Sequence, residues 1–361
     1  MIAILGVMID IPITRRATPR TRPGRRPLGL ALQGGGAHGA FTWGVLDRLL
    51  EADRHDIQAI TGTSAGAVNA VALASGLVSG GADGARDTLA AVWSDVGSQY
   101  PMDLMLTGSD DRPSLNLLAK AALSMSMTLS PTQLNPWGLD PLRTILARHI
   151  DIERLRSDRS APAIHLAATH ATTGRLRMFT NDDLTLDSVL ASACLPSLQQ
   201  PVQIDGEPYW DGGYCANPPL QPLVADGRRD ALLVLIVPTS HAGTPARKSE
   251  IAAREEEFAF TTAFLRECEI LATATERARQ AKWPFMGDLE RSLRRMRWHL
   301  IDAAPHIAAL DPQTRVITHL PFLKSLRDAG RSHAGTWLGE YGNLIGVRST
   351  ADLHELRSLA A

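Results

Sequence analysis

The sequence has few cysteines, no long apolar run and almost no net charge. Its three cysteines, Cys194, Cys215 and Cys268, are too few and too scattered for a disulfide framework or a zinc site, which predicts a reducing compartment. No run reaches the ~18 to 20 apolar residues of a spanning helix, so the pattern excludes an integral membrane protein. Lys+Arg 37 against Asp+Glu 38 leaves a net charge of -1, which gives no case for nucleic-acid binding.

What the chain does contain is typical of a globular protein, with 44% hydrophobic and 21% charged residues in a length of 361. The apolar first residues resemble a signal peptide, but Asp10 interrupts them and the basic residues follow instead of preceding. Arginines then crowd the stretch from Arg15 to Arg26. We interpret 1–26 as a basic, disordered leader, in which Met8 is an alternative start of the chain. Such a leader either has no binding partner or binds an anionic membrane surface.

The next hundred residues alternate short apolar runs with helical periods. Residues 28–32 predict a buried strand, 37–52 a helix, 57–61 a second strand and 67–74 an alanine-rich helix. This βαβα order predicts a parallel sheet with helices on its faces. Further strands are expected at 163–168 and at 232–237, the latter apolar enough to be central.

Two later regions are less regular. Residues 97–140 carry methionines and prolines without a clear period, and we interpret them as a helical excursion, with an insertion lining a lipid or polyester channel as the alternative. Beyond residue 250 the pattern is helical. One apolar stripe, Leu289, Leu293, Met296 and Leu300, begins after the predicted N-cap Asp288. Arginines surround this stripe, so we expect the helix to cover a sheet or to roof a site with its arginines in water. The alternative is a helix that lies on a membrane.

The strongest local signal is the pentapeptide Gly62-Thr63-Ser64-Ala65-Gly66 between a strand and a helix. A serine on such a turn adopts a strained backbone, and the glycines two residues away on each side avoid clashes. The turn exposes a hydroxyl beside a helix N-terminus, whose dipole favours negative charge. This context predicts that Ser64 is a nucleophile.

A glycine loop precedes this turn by one βα unit. Gly34-Gly35-Gly36-Ala37-His38-Gly39 also fits a dinucleotide-binding pattern, with Asp53 or Asp56 as the acidic residue. A nucleotide site leaves Ser64 without a role, whereas an oxyanion hole built from backbone N–H groups explains both motifs. We therefore predict that Gly34, Gly35 and Gly36 form an oxyanion hole.

A third motif, Tyr209-Trp210-Asp211-Gly212-Gly213, follows the turn Asp205-Gly206. Asp211 lies in an apolar, proline-rich stretch, so it is expected to be partly buried. A free aspartate, with a pKa near ~3.9, is a weak base at neutral pH. Burial would raise that pKa and make Asp211 a useful base.

Together the three motifs resemble the patatin-like phospholipase family, over roughly Leu28 to Ala225. That family has a glycine-rich oxyanion loop, a Gly-x-Ser-x-Gly elbow and an Asp-Gly-Gly or Asp-Gly-Ala motif in this order, and the Ala191–Pro196 and Asn217–Leu220 stretches look like its block around the aspartate. The resemblance implies a Ser64–Asp211 dyad supported by Gly62, Gly66, Gly212 and Gly213. It also implies hydrolysis of lipid esters and an α/β fold, a three-layer α/β/α sandwich with a mainly parallel central sheet and a C-terminal helical region.

The corresponding domains are a leader at 1–26, a catalytic domain at 27–245 and a mainly helical extension at 246–361 that packs on or caps it. One residue departs from the family pattern. His38 stands where the family usually has Arg or Lys, and a histidine is fully charged only below its pKa of ~6.5. We expect either a titrating cation beside the oxyanion or a solvated residue in the first helical turn. The first alternative predicts that His38→Arg raises activity above neutral pH.

Several other functions stay open. An α/β-hydrolase triad would need a histidine after Asp211, and the sequence offers His241, His299, His306, His319, His333 and His354. The same architecture can serve an acyltransferase, a storage-polyester depolymerase or a non-catalytic lipid-binding scaffold. No ligand spacing implies a metal or cofactor, and calcium dependence is not expected. The expected partners are an ester substrate and the surface of a membrane, but not nucleic acid. The expected location is the cytoplasm, with or without association with a membrane.

Overall fold

The computed structural model describes residues 24–126, 128–238, 243–281 and 287–358. The leader expected at 1–26 falls almost wholly outside them, as do Met127 and His241. The strands are β1 (Arg26–Leu32), β2 (His55–Gly62), β3 (Leu106–Ser109), β4 (Arg112–Leu115), β5 (Ala163–His170), β6 (Leu176–Thr180), β7 (Val202–Ile204), β8 (Glu207–Asp211), β9 (Asp230–Leu235) and β10 (Arg297–Asp302).

Helices connect these strands and flank them. They are α1 (Gly39–Ala52), α2 (Ala65–Gly97), α3 (Leu117–Ser126), α4 (Pro131–Leu134), α5 (Pro141–His149), α6 (Ile152–Ser157), α7 (Leu186–Ser192), α8 (Gln221–Ala225), α9 (Lys248–Gln280), α10 (Asp288–Arg295), α11 (Ala304–Ile307), α12 (Leu320–Tyr341) and α13 (Glu355–Ser358). Short 3-10 helices occur at Gly36–His38, Met102–Met105, Gly212–Tyr214, Pro312–Val316 and Gly342–Leu344.

The central sheet has the strand order β10-β9-β1-β2-β5-β8-β7, with β6 also paired to β5. Strands β10, β9, β1, β2 and β5 are parallel neighbours, whereas β6 and β8 run antiparallel to β5 and β7 runs antiparallel to β8. The mainly parallel sheet confirms the predicted fold class. Its parallel strands bring the loops after β1 and β2 to the same edge.

The two faces of the sheet bury separate cores, because side chains alternate along each strand. On β1, Leu28, Leu30 and Leu32 belong to a core under α1, α2 and α12. Ala31 between them faces a second core formed with α8, α9 and α10. The protein is therefore a three-layer α/β/α sandwich, as the sequence predicts.

Helix α2 is much longer than the predicted 67–74. It runs from Ala65 to Gly97, with non-helical backbone at Gly80 and Gly81. By length and composition α2 could cross a membrane, although it contains no uninterrupted apolar run of that length. The most apolar window of this helix is 61% buried inside the protein, as is common for a core helix.

The C-terminal region contributes a strand as well as helices. The helix predicted along Leu289, Leu293, Met296 and Leu300 is wrong beyond Arg295, because Met296 is extended and β10 then pairs with β9. Pairing with β9 satisfies the backbone of β10 and places it at the edge of the central sheet. The N-cap is Gly287 and not Asp288.

Helix α12 packs against α1 through glycines. A Cβ atom on Gly44 of α1 would collide with the Arg327 carbonyl, and one on Gly330 of α12 would collide with the Phe41 carbonyl. The region after residue 246 thus completes the layer that supports α1. The boundary at 245/246 stays a prediction.

The region 97–140 forms the hairpin β3–β4 and the helices α3 and α4. Helix α3 has no buried residue. Met102 is buried, whereas Met105 and Met125 are exposed, so the methionines here do not share the role of filling gaps in a core. Strand β4 contacts the 3-10 helix Pro312–Val316, which itself contacts the one at Gly36–His38. The excursion therefore lies on the side of the glycine loop.

Candidate active site

Three loops meet at the carboxyl ends of the central strands. The glycine loop follows β1, the Ser64 turn follows β2, and Asp211 ends β8. Leu32 and Gly62, the last residues of β1 and β2, are partners in the parallel register. The structure thus brings together the motifs that the sequence places up to about 180 residues apart.

The Ser64 turn has the strained geometry that its glycines predict. Ser64 has φ 56° and ψ -126°, a left-handed conformation that costs a non-glycine residue about 1–3 kcal/mol. A Cβ atom on Gly66 would collide with the carbonyl of Leu32, and one on Gly62 would lie 2.5 Å from the carbonyl oxygen of Gly66. The Ser64 N–H donates to the carbonyl and the hydroxyl of Ser192, each at 3.1 Å. These contacts hold the serine in place at 8% exposure.

Asp211 is completely buried beside this serine. Its Oδ1 accepts the Gly213 N–H at 2.7 Å, whereas Oδ2 accepts no hydrogen bond of ordinary geometry from the residues described. Burial raises its pKa to about 7, although the nearby Ser64 hydroxyl and the Gly213 N–H both lower it. Desolvation is the dominant effect because it disfavours the charged carboxylate. The result is a carboxylate that lies near a serine, has one oxygen without a hydrogen bond among the described residues, and has a basicity that suits neutral pH.

The backbone around Asp211 is fixed by its neighbours. Its N–H donates to the Cys194 carbonyl at 2.7 Å, and its carbonyl accepts from the Thr169 hydroxyl at 2.8 Å. Gly212 is needed because a Cβ atom there would collide with the Ala167 carbonyl on β5. The Asp-Gly-Gly motif therefore allows the turn after β8 to pack closely against β5 while the Asp211 carboxyl group points toward the site.

The glycine loop differs from the prediction at Gly34. Its N–H donates to Oδ1 of the buried Asn217 at 2.7 Å, so Gly34 is not an open donor for an oxyanion. A Cβ atom on Gly34 would lie 2.5 Å from the Cβ of Ser64, so this glycine instead allows the loop to approach the serine. Gly35 and Gly36 make no N–H hydrogen bond within the described ranges. These two groups remain open to bind an oxyanion.

Two further residues of the site escaped the sequence analysis. The N–H of Ala65 begins α2 and has no hydrogen-bond acceptor among the residues described, as expected for the first turn of a helix. Asn217 connects the glycine loop to α9, since its Nδ2 also donates to the carbonyls of Gly34 and Phe260, each at 3.4 Å. The open N–H of Ala65 was visible in the motif, but the contacts of Asn217 depend on the tertiary fold.

His38 matches neither of its two expected roles. It is buried, with Nε2 2.8 Å from the Thr314 hydroxyl. Burial lowers its pKa to about 3, helped by the charges of Arg315 and His306. His38 is therefore a neutral packing residue at physiological pH, neither a titrating cation nor a solvated one. The cation beside the loop is Arg315, which pairs with Glu257 and whose backbone carbonyl packs against Gly36.

The remaining histidines do not complete a triad in the described part of the chain. His299 bonds Asp230, His319 bonds Asp103, and none of the described histidines hydrogen-bonds Ser64 or Asp211. Cys194 is buried and its pKa is raised to about 12, so it is not a competing nucleophile. No group of three or more His, Cys, Asp or Glu is arranged to hold a metal ion within the described ranges.

Comparison with known proteins gives a family match and several similar solved structures. Residues 30–224 match the family model described as patatin-like phospholipase. Among solved structures, VipD from Legionella pneumophila is 13% identical with a TM-score of 0.36, over 86% of this chain and 68% of that one. The ExoU–SpcU complex from the type III secretion system of Pseudomonas aeruginosa is 15% identical with a TM-score of 0.27, over 94% and 82%. No curated protein sequence matches the chain.

Proposed function

Because the chain belongs to the patatin-like phospholipase family, a family of lipid hydrolases, we propose that it cleaves carboxylic esters of lipids through a Ser64–Asp211 dyad. The observation that carries this proposal is the buried Asp211 beside Ser64, with one carboxylate oxygen open and a pKa of about 7. A carboxylate of that basicity can take a proton from a hydroxyl as the hydroxyl attacks.

In the first half-reaction, Ser64 Oγ attacks the carbonyl carbon of the ester while its proton passes to Asp211 Oδ2. In this proposal the N–H groups of Gly35, Gly36 and Ala65 bind the oxygen that becomes negative, because they have no other acceptor among the described residues. Each such donor typically contributes about 10² to 10³ in rate. The tetrahedral intermediate then breaks its bond to the alcohol, which leaves with the proton from Asp211, and an acyl-enzyme remains.

In the second half-reaction, Asp211 takes a proton from water, and the water oxygen attacks the acyl carbon. The bond to Ser64 Oγ breaks, the proton returns to the serine and the fatty acid leaves. Each proton that Asp211 accepts is thus released within the same half-reaction. No step requires an imidazole.

The exposed apolar surface beside the site supports a lipid substrate. Several large hydrophobic side chains project from the region 97–140, with Leu117 83%, Leu118 81% and Trp137 83% exposed. A soluble protein seldom exposes such a group of apolar side chains unless it binds a partner or a membrane. We propose that this surface, here called the apolar excursion, enters the lipid layer and brings the glycine loop to the interface.

Labelling with a fluorophosphonate probe tests the nucleophile. The wild-type chain should form a covalent adduct on Ser64 and hydrolyse p-nitrophenyl esters, and Ser64→Ala should do neither. A folded wild-type protein that forms no adduct would favour the lipid-binding scaffold. Product analysis with and without glycerol separates a hydrolase from an acyltransferase, since only the latter would yield glyceride esters as the main product.

The role of the apolar excursion needs a comparison of two substrates. The double variant Leu117→Ser/Leu118→Ser should lower hydrolysis of phospholipid vesicles by about tenfold, because it removes apolar area that enters the lipid. Its rate on a soluble short-chain ester should be unchanged. An equal loss on both substrates would show that the excursion supports the site itself. Hydrolysis of polyester granules, measured as a third substrate, distinguishes a polyester depolymerase from a phospholipase.

A further inference from the structure

A cavity at the edge of the sheet opposite to the proposed active site is lined mainly by arginines. It has a volume of about 500 Å³, and its other lining residues are Met296, Val347 and Ser349. The arginines are Arg229, Arg279, Arg294, Arg295, Arg297 and Arg348. Among the residues that the structure describes, no acidic side chain lines it. Such a concentration of one charge is unusual in a chain whose net charge is -1.

These arginines come from four separate segments of the chain. Arg229 precedes β9 and Arg297 begins β10, Arg279 lies near the end of α9, Arg295 ends α10, and Arg348 follows the last 3-10 helix. Arginine is favourable at a helix C-terminus, which accounts for Arg279 and Arg295 one at a time. The helix dipole does not account for Arg229 and Arg348, which lie outside helices and still line the same cavity.

The charges in this cavity are mostly not neutralised by the protein. Arg297 is paired with Asp230 at 2.8 and 2.6 Å. The side chains of Arg229, Arg279, Arg295 and Arg348 form no ion pair within the part of the chain that the structure describes, and all four are exposed. Like charges held together repel one another, and a bound anion would relieve that repulsion.

The cavity adjoins another whose lining does contain acids. That neighbour shares Arg279 and Arg348 with it but also presents Glu276 and Asp352. An anion would therefore be confined to the arginine side. Guanidinium groups bind phosphate oxygens with paired hydrogen bonds, which makes arginine the preferred residue for recognising phosphate.

The location of the cavity separates it from the proposed catalytic chemistry. Arg229 and Arg297 stand at the amino ends of β9 and β10, whereas Ser64 follows the carboxyl end of β2. Strands of about six residues at ~3.3 Å each hold the two edges roughly 20 Å apart. A flat membrane that receives the apolar excursion at the carboxyl edge would leave this cavity in water.

From these observations we propose that the arginine cavity is a binding site for a soluble anion that carries two or more phosphate groups. Two phosphates match the number of open guanidinium groups better than one does, since each phosphate can take a pair. The arginines line one open, concave pocket of about 500 Å³ and not an extended stripe, which favours a small molecule over a nucleic acid.

Calorimetric titration with pyrophosphate tests this site. The Ser64→Ala protein should bind pyrophosphate, which separates the cavity from the catalytic chemistry. In that background Arg279→Gln/Arg348→Gln should weaken binding by about tenfold or more, because two charge-assisted contacts are lost. The control Arg175→Gln/Arg266→Gln removes the same charge from exposed positions outside the cavity and should bind as tightly as the parent. A thermal melt of each variant verifies its folding.

Two further ligands identify the source of the phosphate. Vesicles of phosphatidylcholine with cardiolipin supply paired phosphates on a lipid, and a short DNA duplex supplies them on a polymer. The proposal expects pyrophosphate to bind and to compete with either of these ligands. It is overturned if pyrophosphate does not bind, if the double variant binds as tightly as its parent, or if vesicles or DNA bind through these arginines while pyrophosphate does not.

Discussion

The two edges of the central sheet solve the problem of binding negative charge in different ways. At the carboxyl edge, the groups that we propose to meet an oxyanion are backbone N–H groups of the glycine loop and of the first turn of α2. At the amino edge, the groups that we propose to bind an anion are exposed guanidinium side chains from distant segments. The first arrangement gains strength from fixed geometry. The second depends on Coulomb attraction, which dissolved salt screens.

This difference suggests that the carboxyl edge is suited to a charge that exists only during a reaction. The residues that carry these N–H groups, Gly35, Gly36 and Ala65, are exposed or partly exposed, so water can satisfy the N–H groups until an oxyanion forms. A fixed cation near a buried acid would instead lower the pKa of that acid. Asp211 would then lose the basicity that the mechanism needs. The amino edge, in contrast, is suited to a ligand that is always charged.

The largest effect is expected from removing the base. Asp211→Asn keeps the size of the side chain but cannot accept a proton, so the esterase rate should fall by about 10² to 10⁴-fold. Steady-state hydrolysis of a p-nitrophenyl ester measures this loss.

A second desolvated carboxyl group provides the matched control for that variant. Burial also raises the pKa of Glu267 to about 7, but its Oε1 accepts the N–H groups of Leu220 at 2.9 Å and Gln221 at 2.6 Å. Glu267→Gln should retain most of the activity. Equal losses in the two variants would mean that any desolvated carboxylate matters only for folding.

A smaller effect is expected from loosening the glycine loop. Asn217→Ala removes the hydrogen bond from the Gly34 N–H to the Asn217 side chain, which holds the glycine loop in place. We therefore expect kcat to fall by about 10 to 100-fold with little change in KM. The control Asn181→Ala removes a buried asparagine that bonds the backbone elsewhere, at Ile164, Leu155 and Pro162. This control should lower Tm without lowering kcat. A change in KM alone for Asn217→Ala would contradict a positioning role.

Salt should separate the two edges. Raising the salt concentration from about 0.05 to about 0.5 M should weaken pyrophosphate binding at the amino edge by roughly tenfold. The hydrolysis rate of a neutral soluble ester at the carboxyl edge should change by less than about twofold, since the proposed donors are backbone dipoles without net charge. Pyrophosphate affinity and the ester hydrolysis rate are measured at the same series of salt concentrations. An equal dependence of the affinity and the rate on salt would contradict the contrast between the two edges.

The smallest effect is expected at His38. Because its pKa of about 3 keeps it neutral, His38→Gln should change activity by less than about threefold and leave the pH profile between about pH 6 and 9 unchanged. His38→Arg should lower Tm rather than raise activity, since it would bury a second cation near Arg315. A pH midpoint that moves in His38→Gln would restore a titrating role for this residue.

The sequence predicted those parts of the molecule that depend on local pattern. The βαβα series and the fold class follow from apolar runs and glycine signals, and the structure confirms them. The positions of Ser64 and Asp211 side by side agree with the motif order, while their roles stay a prediction.

The parts that the sequence could not predict depend on contacts between distant residues. Gly34 looks like its neighbours in the glycine loop, and only the fold brings Asn217 to its N–H. Leu300 continues a helical stripe in the sequence, yet pairing with β9 makes it part of a strand. The arginine cavity likewise has no local motif, because its residues come from segments more than a hundred positions apart.

The pH dependence of acylation tests the central claim most directly. In a stopped-flow experiment, the rate of the first release of p-nitrophenol reports attack by Ser64 before the acyl-enzyme is hydrolysed. Asp211 is active as the carboxylate, so this rate should rise with pH, with a midpoint near the pKa of about 7, and then level off. Glu267→Gln should give the same curve. A rate that does not change with pH through this range would contradict the dyad.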